Sequence, residues 1–330
     1  MASRVVTLCL LALSACNRGS SSRDAALAPD AMLPDLTAPA LDLRVPDGAA
    51  SSCPVFKAAS KAGVVTASDL DEVSGLVASR QNAQVLWVHN DSGDTARLFA
   101  ITTGGTLVGT YRLSGVTAVD WEDITVGPGP VPGKPYLYVG DFGDNNLTRA
   151  TVQIHRVPEP VVDPANPPAT EVALSEVTTI DVTYPEGPQN AETLMADPTD
   201  GALYIVTKTD TGSSRVYRLV VPATGGAVTA QRVTSLQLGG SILPGDPLAT
   251  GGDISPAGDA VLIRTYFAAH LWPRTPGQSV AQALQAAACP VTLTVIEPQG
   301  EAVGFAADGL GFYTLSEKTN QPLYFYARLP

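Results

Sequence analysis

The sequence of 330 residues is short of positive charge: 20 Lys and Arg stand against 32 Asp and Glu, which gives a net charge of −12. Nucleic acids and anionic membrane surfaces attract basic proteins, so the folded chain is expected to bind neither. Cationic ligands and divalent metal ions are better candidates for its partners.

Catalytic signatures are also scarce. The chain has three histidines and no G-x-S-x-G motif, H-E-x-x-H motif or phosphate-cradling glycine loop, so serine hydrolases, zinc proteases and nucleotide-binding proteins find no support. Apolar residues make up 45% of the chain, enough for one large domain. Its 30 Gly and 27 Pro favour a turn-rich β protein over a helical bundle.

The N-terminal apolar run Val5–Leu13 is too short to span a bilayer, and with Arg4 before it the run has the form of a signal peptide. Leu13-Ser-Ala-Cys16 resembles the lipobox of bacterial lipoproteins. Residues 1–16 are therefore predicted to be a lipoprotein signal peptide. Lipidated Cys16 would anchor the chain to a membrane of the bacterial cell envelope, on the periplasmic or surface side of the outer membrane. An ordinary cleavage site is the alternative.

The segment 17–60 is rich in Ala, Ser, Pro and Asp and has no sustained periodicity. It is predicted to be a disordered tether, and residues 61–330 to be the folded domain.

Five segments of the domain share one pattern, in which a carboxylate precedes small or apolar residues and then a β-rich run. The carboxylates are Glu72, Glu122, Glu192, Asp253 and Glu301. Repeats of about 40–50 residues with several strands each are typical of propeller blades. The sequence predicts an all-β, five-bladed β-propeller, with six blades as the alternative, and one helix-like stretch at 279–287.

The last repeat ends after three strands. Residues 63–68 precede the first carboxylate and are predicted to supply the missing strand, which would close the ring and remove an exposed edge. Cys53 and Cys289 would then flank neighbouring outer strands. A disulfide between them is predicted, with two free thiols as the alternative.

Inner strands of a propeller run in the same direction, so the five carboxylates are expected to meet at one mouth of the channel. Like charges so placed need raised pKa values or a cation, and Ca²⁺ suits an oxygen-only site. Zinc does not, because the ring has no Cys or His cluster. The alternative is that the carboxylates bond backbone N–H groups of neighbouring blades and lock the ring.

The ends of the second strands add Asn90 and Asp141 to the expected metal ligands. Both begin Asp- and Asn-rich turns that resemble calcium loops, although a plain turn is the favoured interpretation. His89, next to Asn90, and Asp123, next to Glu122, are the candidates for a general base, and Glu122 itself is a third.

Four short sequence segments are similar to segments of known proteins. They begin at Trp121 (WEDI), Val139 (VGDFGDN), Arg156 (RVPEP) and Gly300 (GEAV). They resemble a group of uncharacterised bacterial exported β-propeller lipoproteins over most of residues 65–330. More distantly, the chain is similar to phytase-like and paraoxonase/gluconolactonase-type propellers. That similarity implies calcium held by acidic and Asn residues at the channel mouth.

Two functions are compatible with these features. The first is a binding or scaffold module of the cell envelope that recognises a small molecule, glycan or protein on its acidic face. The alternative is a calcium-dependent hydrolase of phosphoesters, esters or lactones.

Overall fold

The computed structural model describes residues 53–239 and 246–330. The predicted signal peptide, Cys16 and residues 17–52 of the predicted tether lie outside the described residues. In chain order the strands are β1 (Ser60–Val65), β2 (Val73–Ala78), β3 (Val85–Asn90), β4 (Arg97–Thr102), β5 (Leu107–Leu113), β6 (Trp121–Pro128), β7 (Pro135–Asp141), β8 (Val152–Pro158), β9 (Val172–Leu174), β10 (Thr178–Thr183), β11 (Ala191–Ala196), β12 (Leu203–Thr207), β13 (Ser213–Leu219), β14 (Gly226–Thr229), β15 (Gln231–Gln237), β16 (Ala249–Ile254), β17 (Ala260–Thr265), β18 (Ala269–Pro273), β19 (Cys289–Val291), β20 (Gly300–Phe305), β21 (Gly311–Ser316) and β22 (Gln321–Ala327).

Over the described ranges these strands form five sheets, each built around consecutive antiparallel strands. Blade 1 is β2-β3-β4-β5 with β9 at its edge, and blade 2 is β6-β7-β8-β10 with β14 at its edge. Blades 3, 4 and 5 are β11-β12-β13-β15, β16-β17-β18-β19 and β20-β21-β22-β1. The first strand of each blade contacts the first strands of both neighbouring blades, β20 with β2 included, so the ring closes. The predicted five-bladed β-propeller is confirmed.

Apolar residues of adjacent blades pack into five separate clusters, one at each junction. Trp87 and Trp121 fill the junction of blades 1 and 2, for example, and both are at most 1% exposed. Every residue of the inner strands β2, β11, β16 and β20 is buried, because these strands are covered on both faces. This explains why the repeats read as runs of small and apolar residues instead of strict alternation.

The N-terminal segment closes the ring as predicted, three residues earlier than expected. Strand β1 pairs antiparallel with β22 and becomes the outer strand of blade 5. Cys53 and Cys289 form a disulfide with a Cα–Cα distance of 5.5 Å, which joins this segment to the edge of blade 4. Phe56 makes a bridge to Arg328, so described residues before Ser60 also contact the propeller.

Two further strands were not anticipated. β9 comes from the β8–β10 connection of blade 2 and pairs in parallel with β5 of blade 1. β14 comes from blade 3 and pairs in parallel with β10 of blade 2. Each therefore covers the outer edge of the preceding blade, as β1 does for blade 5, and such covering prevents edge-to-edge association.

The predicted helix is shorter than expected. It covers α1 (Val280–Ala283), and Ser279 caps its N terminus in a capping box with Gln282. Among the described residues, no helix has the length and apolar character that crossing a membrane would require.

Candidate metal centre at the channel mouth

A β-bulge at the start of every inner strand positions the centre of the site. In each blade the pairing with the second strand skips one residue, and the skipped residues are Ser74, Glu122, Glu192, Thr250 and Glu301. A bulge turns the side chain of its extra residue away from the regular alternation. Three carboxylates of blades 2, 3 and 5 therefore occupy equivalent places at one end of the ring.

A second set of side chains lies one residue beyond the end of each second strand. In blade order its members are Asp91, Phe142, Lys208, Tyr266 and Glu317. Asp91 and Glu317 bring two more carboxylates to the mouth, while Lys208 brings an ammonium group. Asp120, two residues before Glu122, adds a further carboxylate.

These carboxylates form two overlapping groups of three. Oxygens of Asp91, Asp120 and Glu122 lie within 4.8 Å of one another, and so do oxygens of Asp91, Glu301 and Glu317. Two oxygens on opposite sides of a Ca²⁺ ion lie about 5 Å apart, twice the metal–oxygen distance of about 2.5 Å. Both groups therefore have the spacing of a calcium coordination sphere, and all their ligands are oxygens, as calcium prefers.

Glu122 has the least favourable electrostatic environment of the carboxylates in this cluster. It is only 3% exposed, and among the described residues its carboxylate has neither a hydrogen-bond donor nor an ion-pair partner. A Cβ atom on Gly143 would lie 2.0 Å from Oε1 of Glu122 and 2.4 Å from Oδ2 of Asp120. Glycine at 143 thus lets the backbone approach both carboxylates, which are held side by side.

Lys208 neutralises the opposite side of the mouth. Its Nζ donates a hydrogen bond to Oε1 of Glu192 and another, of 3.0 Å, to the hydroxyl of Tyr266. Tyr266 in turn donates to Oε1 of Glu301 at 3.1 Å. Burial alone would lower the pKa of Lys208, but the Glu192 carboxylate raises it above its usual value. Lys208 is therefore charged and is held in a hydrogen bond to Glu192.

The remaining carboxyls hold their protons more tightly than usual. Burial, reinforced by the charges of neighbouring carboxylates, raises the pKa of Asp91 to about 6 and that of Glu301 to about 8. Burial also raises the pKa of Glu192 to about 7, even with Lys208 beside it, and that of Glu122 well above its usual value. A divalent cation would remove this repulsion and hold the groups ionised.

Two of the five predicted ring carboxylates do not occupy the ring. Glu72 lies two residues before the bulge of blade 1 and is exposed. Asp253 lies three residues after the bulge of blade 4, where its Oδ2 accepts a 2.9 Å hydrogen bond from Phe305 N of blade 5. The carboxylate at each repeat opening was assumed to mark one structural position, and that assumption is wrong for these two blades.

Asn90 and Asp141, the other predicted metal ligands, are occupied elsewhere. Asn90 donates to the backbone oxygen of Asp69 at 2.6 Å and to Asp94 at 2.9 Å, within the turn that follows β3. Asp141 accepts from Arg149 Nη2 at 2.8 Å and from two backbone N–H groups. Burial would raise the pKa of Asp141, but the His155 ring, whose Nε2 lies 3.8 Å from Oδ2, and the hydrogen bond from Arg149 lower it.

The candidate bases His89 and Asp123 are buried inside the propeller. His89 is 0% exposed, its Nδ1 lies 2.8 Å from the backbone oxygen of Asn90, and burial lowers its pKa to about 4. Asp123 is also 0% exposed and accepts hydrogen bonds from three backbone N–H groups in blades 2, 3 and 4. Neither side chain is exposed at the mouth, so a catalytic base at these positions gains no support from the structure.

Sequence reasoning missed Asp91, Asp120 and Glu317 as members of the cluster. A signal for two of them was present: Asp91 and Glu317 directly follow Asn90 and Ser316, the aligned ends of the second strands. Aligning the repeats on the residue after each second strand, instead of on its last residue, would have found both. Asp120 had no such signal, because its role depends on how the loop before β6 is placed.

A separate cleft of about 700 Å³ lies between blades 3 and 4, near the far ends of their inner strands. Its charged groups pair with one another: Arg274 lies 2.9 Å from Asp197, and Arg218 lies 2.9 Å from Asp200. The first pair joins blade 4 to blade 3, whereas the second lies within blade 3. Asp259, also in the lining, accepts a 2.5 Å hydrogen bond from Ser255.

No family model matches this chain, and no curated protein matches it. Among solved structures it is similar to the crystal structure of RRP9 WD40 repeats, with a TM-score of 0.41 and 8% sequence identity over 84% of this chain and 99% of that one. A likeness this low carries no argument about function. The candidate site depends on the geometry of this chain alone.

Proposed function

We propose that this chain is a cell-envelope lipoprotein whose β-propeller is a binding module with a divalent cation, Ca²⁺, at its acidic mouth. One observation supports the cation above all others. Five carboxylates from blades 1, 2 and 5 form two groups of three that share Asp91, with the oxygens of each group within 4.8 Å of one another. Among them buried Glu122 accepts no side-chain hydrogen bond or ion pair from the described residues. A buried carboxylate without a partner is costly, and a cation removes that cost.

The ligand of the module would be a small molecule, glycan or protein that docks on the mouth face. A bound cation could complete its coordination with an oxygen of that ligand, as calcium accepts six to eight oxygens in flexible geometry. For the hydrolase alternative, two of the candidate bases, His89 and Asp123, are fully buried, which leaves Glu122 at the mouth as the remaining candidate.

Calcium binding is tested on the full-length chain, purified in detergent and stripped with chelator. Calcium at 100 times its Kd should stabilise the fold by about 2.7 kcal/mol, because only the folded state presents the site. The double variant Glu122→Gln, Glu301→Gln should lose the calcium-dependent part of the melting temperature. Glu72→Gln is the matched control, since Glu72 is acidic, close in sequence to the mouth and outside both groups.

A wild-type protein whose melting temperature is the same in calcium and in chelator, and which gives no binding heat with calcium, would overturn the cation proposal. Hydrolysis of phosphoester or lactone substrates that depends on calcium and on Glu122 would instead favour the alternative.

The membrane anchor is tested separately. Cys16→Ser in the full-length chain should move the protein from the membrane fraction to the soluble fraction, because lipidation supplies the anchor. Wild-type protein that takes up no labelled fatty acid would contradict this part of the proposal.

A further inference from the structure

Asp91 belongs to both groups of carboxylates at the mouth. It directly follows β3 in blade 1, and blade 1 lies between blade 5 and blade 2 in the closed ring. Asp120 and Glu122 approach Asp91 from blade 2, whereas Glu301 and Glu317 approach it from blade 5. Asp91 therefore stands between two oxygen clusters and is shared by them.

The charge of the cluster exceeds what one ion can offset. Asp91, Asp120, Glu122, Glu301 and Glu317 carry five negative charges when ionised, and one divalent cation leaves three of them. Lys208 attracts these carboxylates, but its Nζ is hydrogen-bonded to Glu192 and Tyr266. Arg149 likewise attracts Asp120, while its guanidinium is bonded to Asp141. Lys318 contacts Glu317 at 3.2 Å, but its side chain is 57% exposed, so solvent weakens that pair.

Each group also has a buried carboxylate that no cationic side chain of the described residues contacts directly. In the first group it is Glu122, which is 3% exposed and has no hydrogen-bond donor or ion-pair contact on its carboxylate among the described residues. In the second group it is Glu301, which is 4% exposed and receives one hydrogen bond, from the neutral Tyr266 hydroxyl. A single ion placed in one group would leave the buried carboxylate of the other uncompensated.

We propose, on the basis of the proposed function, that the mouth holds two divalent cations bridged by the carboxylate of Asp91. One ion is bound by Asp91, Asp120 and Glu122, and the other by Asp91, Glu301 and Glu317. A carboxylate has two oxygens and can bind one ion with each, which is a common arrangement where two metals lie close together. The remaining coordination positions face the mouth and are open to water or to oxygens of a ligand.

The test is the number of calcium ions bound per chain, measured by equilibrium dialysis and calorimetry on the full-length protein in detergent after chelator treatment. The wild type should bind two. Asp120→Asn and Glu317→Gln should each leave one, because each removes a ligand of one ion only. Asp91→Asn should weaken both sites at least tenfold, and Glu72→Gln should still bind two.

The outcomes separate this inference from the proposed function. No bound calcium in the wild type overturns both. One bound ion overturns the two-ion inference alone, as does loss of the same single ion in both Asp120→Asn and Glu317→Gln. Circular dichroism and melting in chelator identify any variant that fails to fold. For such a variant, Asp120→Glu or Glu317→Asp, which keeps the charge but moves the oxygens, should reduce affinity at one site only.

Discussion

Buried carboxylates of this propeller have two different tasks, and the hydrogen bonds of each side chain show which one it performs. Asp123 and Asp253 accept backbone N–H groups across blade junctions. Glu122, the residue next to Asp123, accepts none among the described residues. Because the β-bulge displaces Glu122 from the regular alternation, these two neighbours face different surroundings, Asp123 the blade junctions and Glu122 the mouth.

Asp123→Ala should destabilise the fold by about 2–4 kcal/mol, because it leaves three buried backbone N–H groups in blades 2, 3 and 4 without an acceptor. Chemical denaturation with and without calcium measures the effect, which should be the same in both conditions. Glu72→Gln should change stability by less than about 0.5 kcal/mol, as expected for an exposed site. A loss confined to the calcium condition would show that Asp123 acts on the mouth instead.

The mouth should also make stability depend on pH. The pKa of Glu301 is raised to about 8 in the folded state, so the folded protein binds its proton more tightly than the unfolded chain does. The stabilisation that results is present at acidic pH and is lost as pH rises through about 8. In chelator, the melting temperature should therefore fall between pH 6.5 and 8.5, and saturating calcium should reduce the fall.

Glu301→Gln should reduce the slope of this pH profile in chelator, since the variant cannot ionise at that position. Glu192, whose pKa is raised to about 7, supplies part of the slope that remains. The range from pH 6.5 to 8.5 lies above the pH at which His89 affects stability. The pKa of His89 is lowered to about 4, so its contribution to stability has the opposite sign and is lost as pH falls below about 6.5. An unchanged slope in Glu301→Gln would mean that other groups cause the dependence.

At the scale of strands, the inner strands approach so closely that some positions admit only glycine. A Cβ atom on Gly75 of β2 would lie 2.4 Å from His89 Nε2 and 2.8 Å from Ile124 N of β6. Because a backbone atom of the next blade is among these contacts, relaxation is limited. The glycines of the repeat openings are thus packing residues.

Gly75→Ala should cost about 1–3 kcal/mol through overpacking of the junction between blades 1 and 2. Gly104→Ala is the control, because its nearest heavy atom would be the Thr102 hydroxyl at 3.6 Å, an ordinary contact. Denaturant midpoints of the two variants test the difference, and equal midpoints would show that the junction can widen at no cost.

At the scale of the whole molecule, the ring is held shut by segments that pass from one blade to another. β1 closes blade 5, β9 and β14 cover blades 1 and 2, and the Cys53–Cys289 disulfide ties the N-terminal segment to blade 4. Most of this stabilisation comes from contacts distant in sequence, as is usual for closed β structures.

A chain that begins at residue 53 should fold with the wild-type melting temperature. A chain that begins at residue 66 should not reach that melting temperature, because it lacks β1 and uncovers the edge of β22. Cys53→Ser in the longer chain separates the two contributions. It should lose part of the stability, up to about 5 kcal/mol by the loop-entropy model, and still fold. Equal melting temperatures for the chains beginning at 53 and 66 would contradict closure by β1.

The repeat pattern determined the fold class of this protein, because strand periodicity, turn residues and the missing last strand are all local features of the chain. The pairing of Cys53 with Cys289 followed from that ring. Which residues lie at the channel mouth did not follow from the repeat pattern. It depends on β-bulges, and their register is defined only by the pairing with the second strand. Glu72 and Asp253 match the repeat in sequence but miss the bulge, while Asp91, Asp120 and Glu317 reach the mouth from loops. Those loops are placed by packing between blades, which a single strand's sequence does not encode.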